Sequence, residues 1–270
     1  MRFVDAHIHL SDPEYEANVD KVVEDSQRSK VVALLSNSTN YQTSLMNIKL
    51  ADKYSGLVYA ALGIHPWNVR ELLPNEVEQT MNLAVNHKHH EKIVAVGEIG
   101  LDNKYAKRKK KKALLELQYE VFCRMLQLGE KLSLPVIIHS RETASEIIDI
   151  LASYQIKKVL LHWFSGPIEL LPKIVDLGYH VTEGPAIFHS THIQDIVRKI
   201  PLTYLLTETD GPVRFSRAPI KGEITTPKFI PLIVDKIAKT RNENKTEVAE
   251  QLLLNFETFF EIKVQTQSRS

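Results

Sequence analysis

Eight short runs of aliphatic and β-branched residues, separated by longer amphipathic stretches, recur along this chain. They fall at about 2–8, 31–36, 57–64, 93–98, 134–138, 158–161, 179–183 and 204–208. The runs are apolar nearly throughout, so each strand is expected to be buried on both faces. That pattern belongs to parallel strands covered by helices. Between them, 16–29, 44–54, 76–86, 114–131, 143–154, 169–177 and 192–199 carry helical periodicity. Eight such repeats in 270 residues fit a closed (β/α)8 TIM-type barrel, an α/β fold of about this size. After the eighth strand, Thr226-Pro227 opens a helix to about residue 239, and Thr246 is a candidate N-cap for a last one. Its Val248, Leu252, Leu253, Phe256 and Phe260 are expected to pack on the barrel. The organisation expected is one barrel domain over 1–262 and a short polar tail, 263–270, with frayed structure from Val264 onward.

Seven polar residues interrupt this apolar frame at strand ends: His7, His9, His65, Glu98, His139, His162 and Asp210. In an open doubly wound sheet, site residues gather from a few strands at one switch point. Here they come from the first, third, fourth, fifth, sixth and eighth strands, and only a barrel brings so many strand ends around one centre. His7 and His9 are two apart on a strand and so point the same way, able to grip one ion. A lone His-x-His is a weak signal; five imidazoles, a Glu and an Asp in this arrangement are a strong one. Glu98 has two oxygens with which to bridge two cations, His139 and His162 can complete the shell of the second ion, and Asp210 can return to the first ion. A bridged pair of divalent cations readies water for attack on a phosphoryl or acyl centre. Imidazole-rich shells suit Zn, Mn, Fe, Co or Ni, and a mixed carboxylate set also accepts Mg or Mn.

Composition narrows the partners. Net charge is +1, so affinity for a polyanion must come from local patches. The densest, Lys107-Arg108-Lys109-Lys110-Lys111-Lys112, follows the fourth strand and is expected to draw phosphates toward the site. No obligate protein partner is evident. Cys123 is the sole cysteine and is expected to be a small buried hydrophobe. No apolar run reaches membrane-spanning length, and the first strand leaves no room for a cleavable leader, so a cytoplasmic, membrane-free protein is expected. His87, His89 and His90 precede the fourth strand and are assigned to solvent on the opposite face.

Several motifs in order carry a resemblance. Val4-Asp5-Ala6-His7-Ile8-His9-Leu10, Gly63-Ile64-His65-Pro66-Trp67 and Gly97-Glu98-Ile99-Gly100-Leu101-Asp102 are three of them. Pro135-Val136-Ile137-Ile138-His139-Ser140-Arg141-Glu142, His162-Trp163-Phe164-Ser165-Gly166 and Glu208-Thr209-Asp210-Gly211-Pro212 are the others. Together they resemble the TatD family of metal-dependent hydrolases, from Met1 to about Phe260. The resemblance implies an amidohydrolase-type barrel with two divalent metal cations and deoxyribonuclease activity on DNA, expected here as an exonuclease. It implies that His7, His9, Glu98 and Asp210 hold one ion and that Glu98, His139 and His162 hold the other. Asp210 would orient or deprotonate the attacking water, and His65 would bind phosphate or act as an acid. Arg141 is expected either to bind a phosphate oxygen or to pair with a carboxylate such as Glu98. Asp102 and Glu208 are expected to orient ligands. Trp163, Ile224-Thr225-Thr226-Pro227 and Asn103-Lys104-Tyr105 depart from the family pattern in loops where substrate is chosen. Hydrolysis of an ester, lactone or amide at the same centre is the alternative reading.

Overall fold

The computed structural model describes residues 1–108 and 112–264. Its eight strands are β1 (Phe3–Ile8), β2 (Val31–Asn37), β3 (Val58–Leu62), β4 (Ile93–Asp102), β5 (Val136–Arg141), β6 (Val159–Leu161), β7 (His180–Glu183) and β8 (Leu205–Thr207). Each pairs in parallel with the next, in sequence order. The ring closes just past the last strand. The Asp210 N–H donates to the His7 carbonyl and the His9 N–H to the Gly211 carbonyl, both at 2.9 Å. The Thr207 hydroxyl donates to the Val4 carbonyl at 2.8 Å. The sequence expectation of a closed (β/α)8 barrel is met.

Helices α1 (Val19–Arg28), α2 (Tyr41–Lys53), α3 (Glu76–Asn86), α4 (Asn103–Arg108), α5 (Lys112–Leu132), α6 (Ala144–Leu151), α7 (Leu171–Asp176), α8 (Thr191–Lys199), α9 (Ile230–Arg241) and α10 (Lys245–Phe260) surround it. Alternation along the strands sorts the core into two layers. Ala6, Ala33, Leu35, Ala61, Ala95, Ile137, Leu160 and Leu206 cluster inside the barrel. Ile8, Leu34, Val58, Val96, Ile138 and Leu161 belong to the larger layer between strands and helices. Helix α10 adds Phe256, Phe259 and Phe260 to the inner cluster, each burial stabilising the fold by about 2–3 kcal/mol. Two strands meet closely at Gly63 and Gly97. A Cβ on Gly63 would lie 2.8 Å from the Gly97 carbonyl carbon, and one on Gly97 would lie 2.7 Å from Ile137 Cβ, so neither position accepts a side chain without displacement.

Several boundaries differ from the sequence reading. Strand β5 runs on to Arg141, so His139 lies within the strand rather than after it. The first turn of α2 starts at Tyr41, because Asn40 and Thr43 form a reciprocal capping box. The N-cap of α10 is Asn244, not Thr246: the Asn244 side chain accepts the Thr246 and Glu247 amides. Cys123 is half-buried rather than buried, with Tyr119 and Tyr154 as hydrogen-bond neighbours. Val264 is buried in the inner cluster, contrary to the frayed tail expected there. Lys109–Lys111 of the basic run and 265–270 of the tail lie outside the described residues. Among the described residues no helix is long and apolar enough to cross a membrane.

Candidate metal centre

All seven strand-end candidates meet above the C-terminal end of the barrel, around the carboxylate of Glu98. Glu98 is buried, and its two oxygens face different partners. Oε2 lies 3.2 Å from Nε2 of both His7 and His9. Oε1 lies 2.8 Å from His162 Nε2, 2.9 Å from His139 Nδ1 and 3.1 Å from His65 Nε2. Asp210 Oδ1 stands 3.5 Å from Nε2 of His7 and of His9. Three overlapping groups have donor atoms within 4.8 Å of one another: His7, Glu98 and His162; His7, His9 and Asp210; His65, Glu98 and His139. This donor set of imidazole nitrogen and carboxylate oxygen fits divalent transition ions.

Neighbouring groups fix which ring nitrogen faces the centre. The Asn37 carbonyl accepts His9 Nδ1 at 3.0 Å, leaving Nε2 directed at Glu98 and Asp210. Asp102 Oδ2 accepts His139 Nε2 at 2.9 Å, so the proton resides there and Nδ1 keeps its lone pair toward Glu98. Asp102 is itself held by the Trp67 indole N–H at 2.6 Å and, through Oδ1, by the Tyr105 amide at 2.6 Å. Glu208 approaches His162 Nδ1 at 3.5 Å and accepts the Thr182 hydroxyl. His65 differs from the others. Its Nδ1 accepts the Trp67 amide at 3.0 Å, which places the proton of the neutral ring on Nε2, facing Glu98. In that tautomer His65 presents a donor to the centre rather than a ligand lone pair.

The charges are coupled. Burial alone would raise Glu98, but the surrounding imidazoles hold it well below the usual carboxylate range. Burial disfavours charge on His9 too, yet Asp210 and Glu98 raise it to about 10. Against the same burial, Glu98 and Glu208 raise His162, and Asp102 and Glu98 raise His139. Burial and the neighbouring His162 cation push His7 down to about 3, and burial also lowers His65. Protons on His9 and His162 thus offset the carboxylates. Asp210 stays ionised despite burial because of its hydrogen bond with His9. It occupies a left-handed backbone conformation (φ 47°), as does Trp163 (φ 38°), a strain that recurs at functional sites.

The remaining polar and aromatic side chains divide. Arg141 lies two residues past His139 on β5, but no carboxylate pairs with it among the described residues, and Glu98 is surrounded by imidazoles instead. The expected pairing with Glu98 is therefore not formed, and Arg141 faces a cavity described below. Arg214 pairs with Glu14. His192 is tied to the Gly166 carbonyl at 3.0 Å. His90 sits 3.2 Å from Asp52, away from the centre. Trp67 is 42% exposed and stacks on Tyr105.

Sequence reasoning missed four contributors. Asn37 belongs to β2, a strand that supplied no candidate; its signal was the polar Ser36-Asn37-Ser38 ending an apolar run. Asp5 accepts the Thr209 hydroxyl at 2.5 Å and the His7 amide at 3.2 Å, and burial raises it to about 8. Gln118 accepts the Asp102 amide and donates to the Pro66 carbonyl, both at 3.0 Å. Glu183 is fully buried with neither oxygen hydrogen-bonded among the described residues; burial and Glu208 raise it strongly. Nothing local in the sequence marks the last two.

A closed parallel barrel carrying imidazoles and carboxylates over its C-terminal end is an arrangement that metal-dependent hydrolases use. The model of the family described as TatD related DNase matches residues 4–261. The chain belongs to the TatD family of metal-dependent hydrolases. It is 31% identical over 260 residues to an uncharacterized metal-dependent hydrolase of Methanocaldococcus jannaschii, covering 96% of this chain and 97% of that protein. It is also 31% identical over 255 residues to the human deoxyribonuclease TATDN3, covering 92% and 90%. Among solved structures, YjjV, a TatD homolog from Escherichia coli, superposes with a TM-score of 0.87 at 28% identity, covering 97% of this chain and 99% of that one.

Proposed function

We propose that this chain is a divalent-metal-dependent phosphodiesterase that hydrolyses DNA, acting as an exonuclease. The observation that carries the reading is the division of Glu98: one oxygen faces His7 and His9, the other His139 and His162. A carboxylate so divided suits a bridge between two ions. His7, His9, Glu98 and Asp210 would hold one, and Glu98, His139 and His162 the other. Mg, Mn, Zn, Co and Ni are all compatible with these donors. When bound, the ions supply Lewis-acid stabilisation of charge developing at phosphorus and make water more acidic.

The chain's own residues do the rest. Asp210, ionised at neutral pH, orients the attacking water and accepts its proton. His65, with its proton on Nε2, binds a phosphate oxygen or protonates the leaving oxygen. Arg141, free of carboxylate partners among the described residues, contacts the substrate backbone. The name of the human relative and the basic run between α4 and α5 both favour a polyanionic substrate over an ester, lactone or amide.

The test is hydrolysis of end-labelled single-stranded DNA by metal-stripped protein, with each metal added back. Shortening that returns with metal in the wild type, and is absent in folded Glu98→Ala and Asp210→Asn, is expected. Near-wild-type rates in either variant refute the centre. Silence with every metal, alongside normal metal binding, moves the substrate to the ester, lactone or amide class.

A further inference from the structure

Beside the metal centre lies a cavity of about 720 Å³, walled by Lys104 of α4, the segments that follow β5 and β6, and His192 of α8. It begins one residue past His139, with Ser140 and Arg141 of β5 on its wall. Four observations mark it as built for an anion. Arg141 is half-buried there, and no carboxylate pairs with it among the described residues. Lys104 of α4 contributes a second cation to the wall. Ser140 is 8% exposed, and its hydroxyl has no hydrogen-bond partner among the described residues. Finally, the N-terminus of α6 opens on the cavity without a side-chain cap.

The cap is missing for a visible reason. Thr143 occupies the N-cap position, but its hydroxyl donates to the Leu101 carbonyl at 3.0 Å. The amides of Ala144, Ser145 and Glu146 therefore lack an acceptor among the described residues. Free first-turn amides carry the positive end of the helix dipole and bind oxyanions. The rim also holds Glu142 and Glu146, so the cavity offers both signs of charge. A nucleotide, anionic at phosphate and rich in amino and imino donors at the base, matches that mixture.

Resting on the phosphodiesterase reading, we propose that this cavity is a second subsite for the backbone phosphate next to the scissile one. Arg141, Ser140 and the α6 amides hold that phosphate, and its nucleoside fills the remaining volume. Two residues along a strand span about 7 Å, so His139 and Arg141 are spaced like successive phosphates of one chain. The substrate class that follows is an oligonucleotide carrying a phosphate on each side of at least one nucleoside, not an isolated diester.

Two measurements test this. The first compares kcat/KM for thymidine dinucleotides with no terminal phosphate, a 5′-phosphate or a 3′-phosphate. One of the two phosphates should raise kcat/KM by about tenfold or more in the wild type. That gain, a ratio within each variant, should vanish in Arg141→Gln and in Ser145→Asp. The latter puts a carboxylate at a first-turn position that favours one, so the fold is retained. The second measures equilibrium binding of thymidine 3′,5′-bisphosphate, which contains no diester. It should bind about tenfold tighter than either monophosphate, and Arg141→Gln should erase the difference. A hydrolysed dinucleotide that gains from neither phosphate overturns the subsite, as does a gain that both variants retain. If no dinucleotide is cleaved, tight bisphosphate binding that needs Arg141 still upholds the subsite, and the phosphodiesterase reading stands or falls on hydrolysis of the end-labelled single-stranded DNA. Equal binding of mono- and bisphosphate fells the subsite.

Discussion

Replacing Asp102 with Asn probes how the second half of the centre is organised. The Asp102 carboxylate accepts three N–H groups: the Trp67 indole, His139 Nε2 and the Tyr105 amide. An amide has one accepting end. If its oxygen faces Trp67 and His139, its NH2 confronts the Tyr105 N–H; if it is turned round, its NH2 confronts the other two. The second arrangement is relieved when the His139 proton moves to Nδ1, the nitrogen 2.9 Å from Glu98 and 3.3 Å from His162. A proton there blocks metal ligation. Loss of such an orienting carboxylate weakens metal binding by about 10- to 100-fold, or about 1.4–2.7 kcal/mol. Stability should fall by about 1–3 kcal/mol for the unsatisfied donor, which leaves a folded protein to measure. Calorimetric titration of Zn or Mn into metal-free protein reads the affinities, with circular dichroism as the folding control. One of two binding steps should weaken in Asp102→Asn while the other changes little. Since Asp102 is held near 2 by His139 and its other donors against the opposing effect of burial, the carboxylate is ionised throughout the accessible pH range. Two unchanged affinities in a folded variant would refute the tautomer argument.

Metal binding should also release protons. His9 is raised to about 10 and His162 well above the usual imidazole value, so both carry protons at pH 7 before an ion binds, and loading both halves should release about two protons, read from titrations in buffers of different ionisation enthalpy. Uptake, or no release, contradicts the charge distribution. Replacing the charges of the basic run Lys107–Lys112 with Gln should raise the apparent KM for DNA by about tenfold at low salt and flatten its salt dependence; unchanged values for both remove the run from substrate capture. His180, against Tyr204 and Phe259, is lowered by burial from 6.5 to about 4. Its folded value lies below its unfolded one, so the unfolded chain takes up the proton first. Stability is then full above about pH 6.5 and falls by up to about 3 kcal/mol as pH drops toward 4. Urea unfolding at pH 7 and 5 should show a smaller pH effect in His180→Phe than in the wild type, and an equal effect in both would sink the assignment.

The barrel and the roll of candidate donors were legible in the local pattern of the chain. Strand and helix periodicity are local properties, and eight near-continuous apolar runs leave little choice but parallel strands under helices. A polar residue at the end of such a run stands at the C-terminal mouth whatever its neighbours do, which is why His7, His9, His65, Glu98, His139, His162 and Asp210 were all visible. Tertiary structure decided which atoms of those residues meet. The tautomer of His9 depends on a carbonyl 28 positions away, that of His139 on a carboxylate 37 away, and Asp5 meets Thr209 across 204. The sequence offered Arg141 a carboxylate or a phosphate; only the packed loops left it beside a cavity and an uncapped helix. Glu183 reads as an ordinary strand-end acid, yet closure of the barrel against its helices buries it without a partner among the described residues. Hydrogen bonds and burial of this kind are set by the distance between chain segments, and a one-dimensional pattern carries no record of that distance.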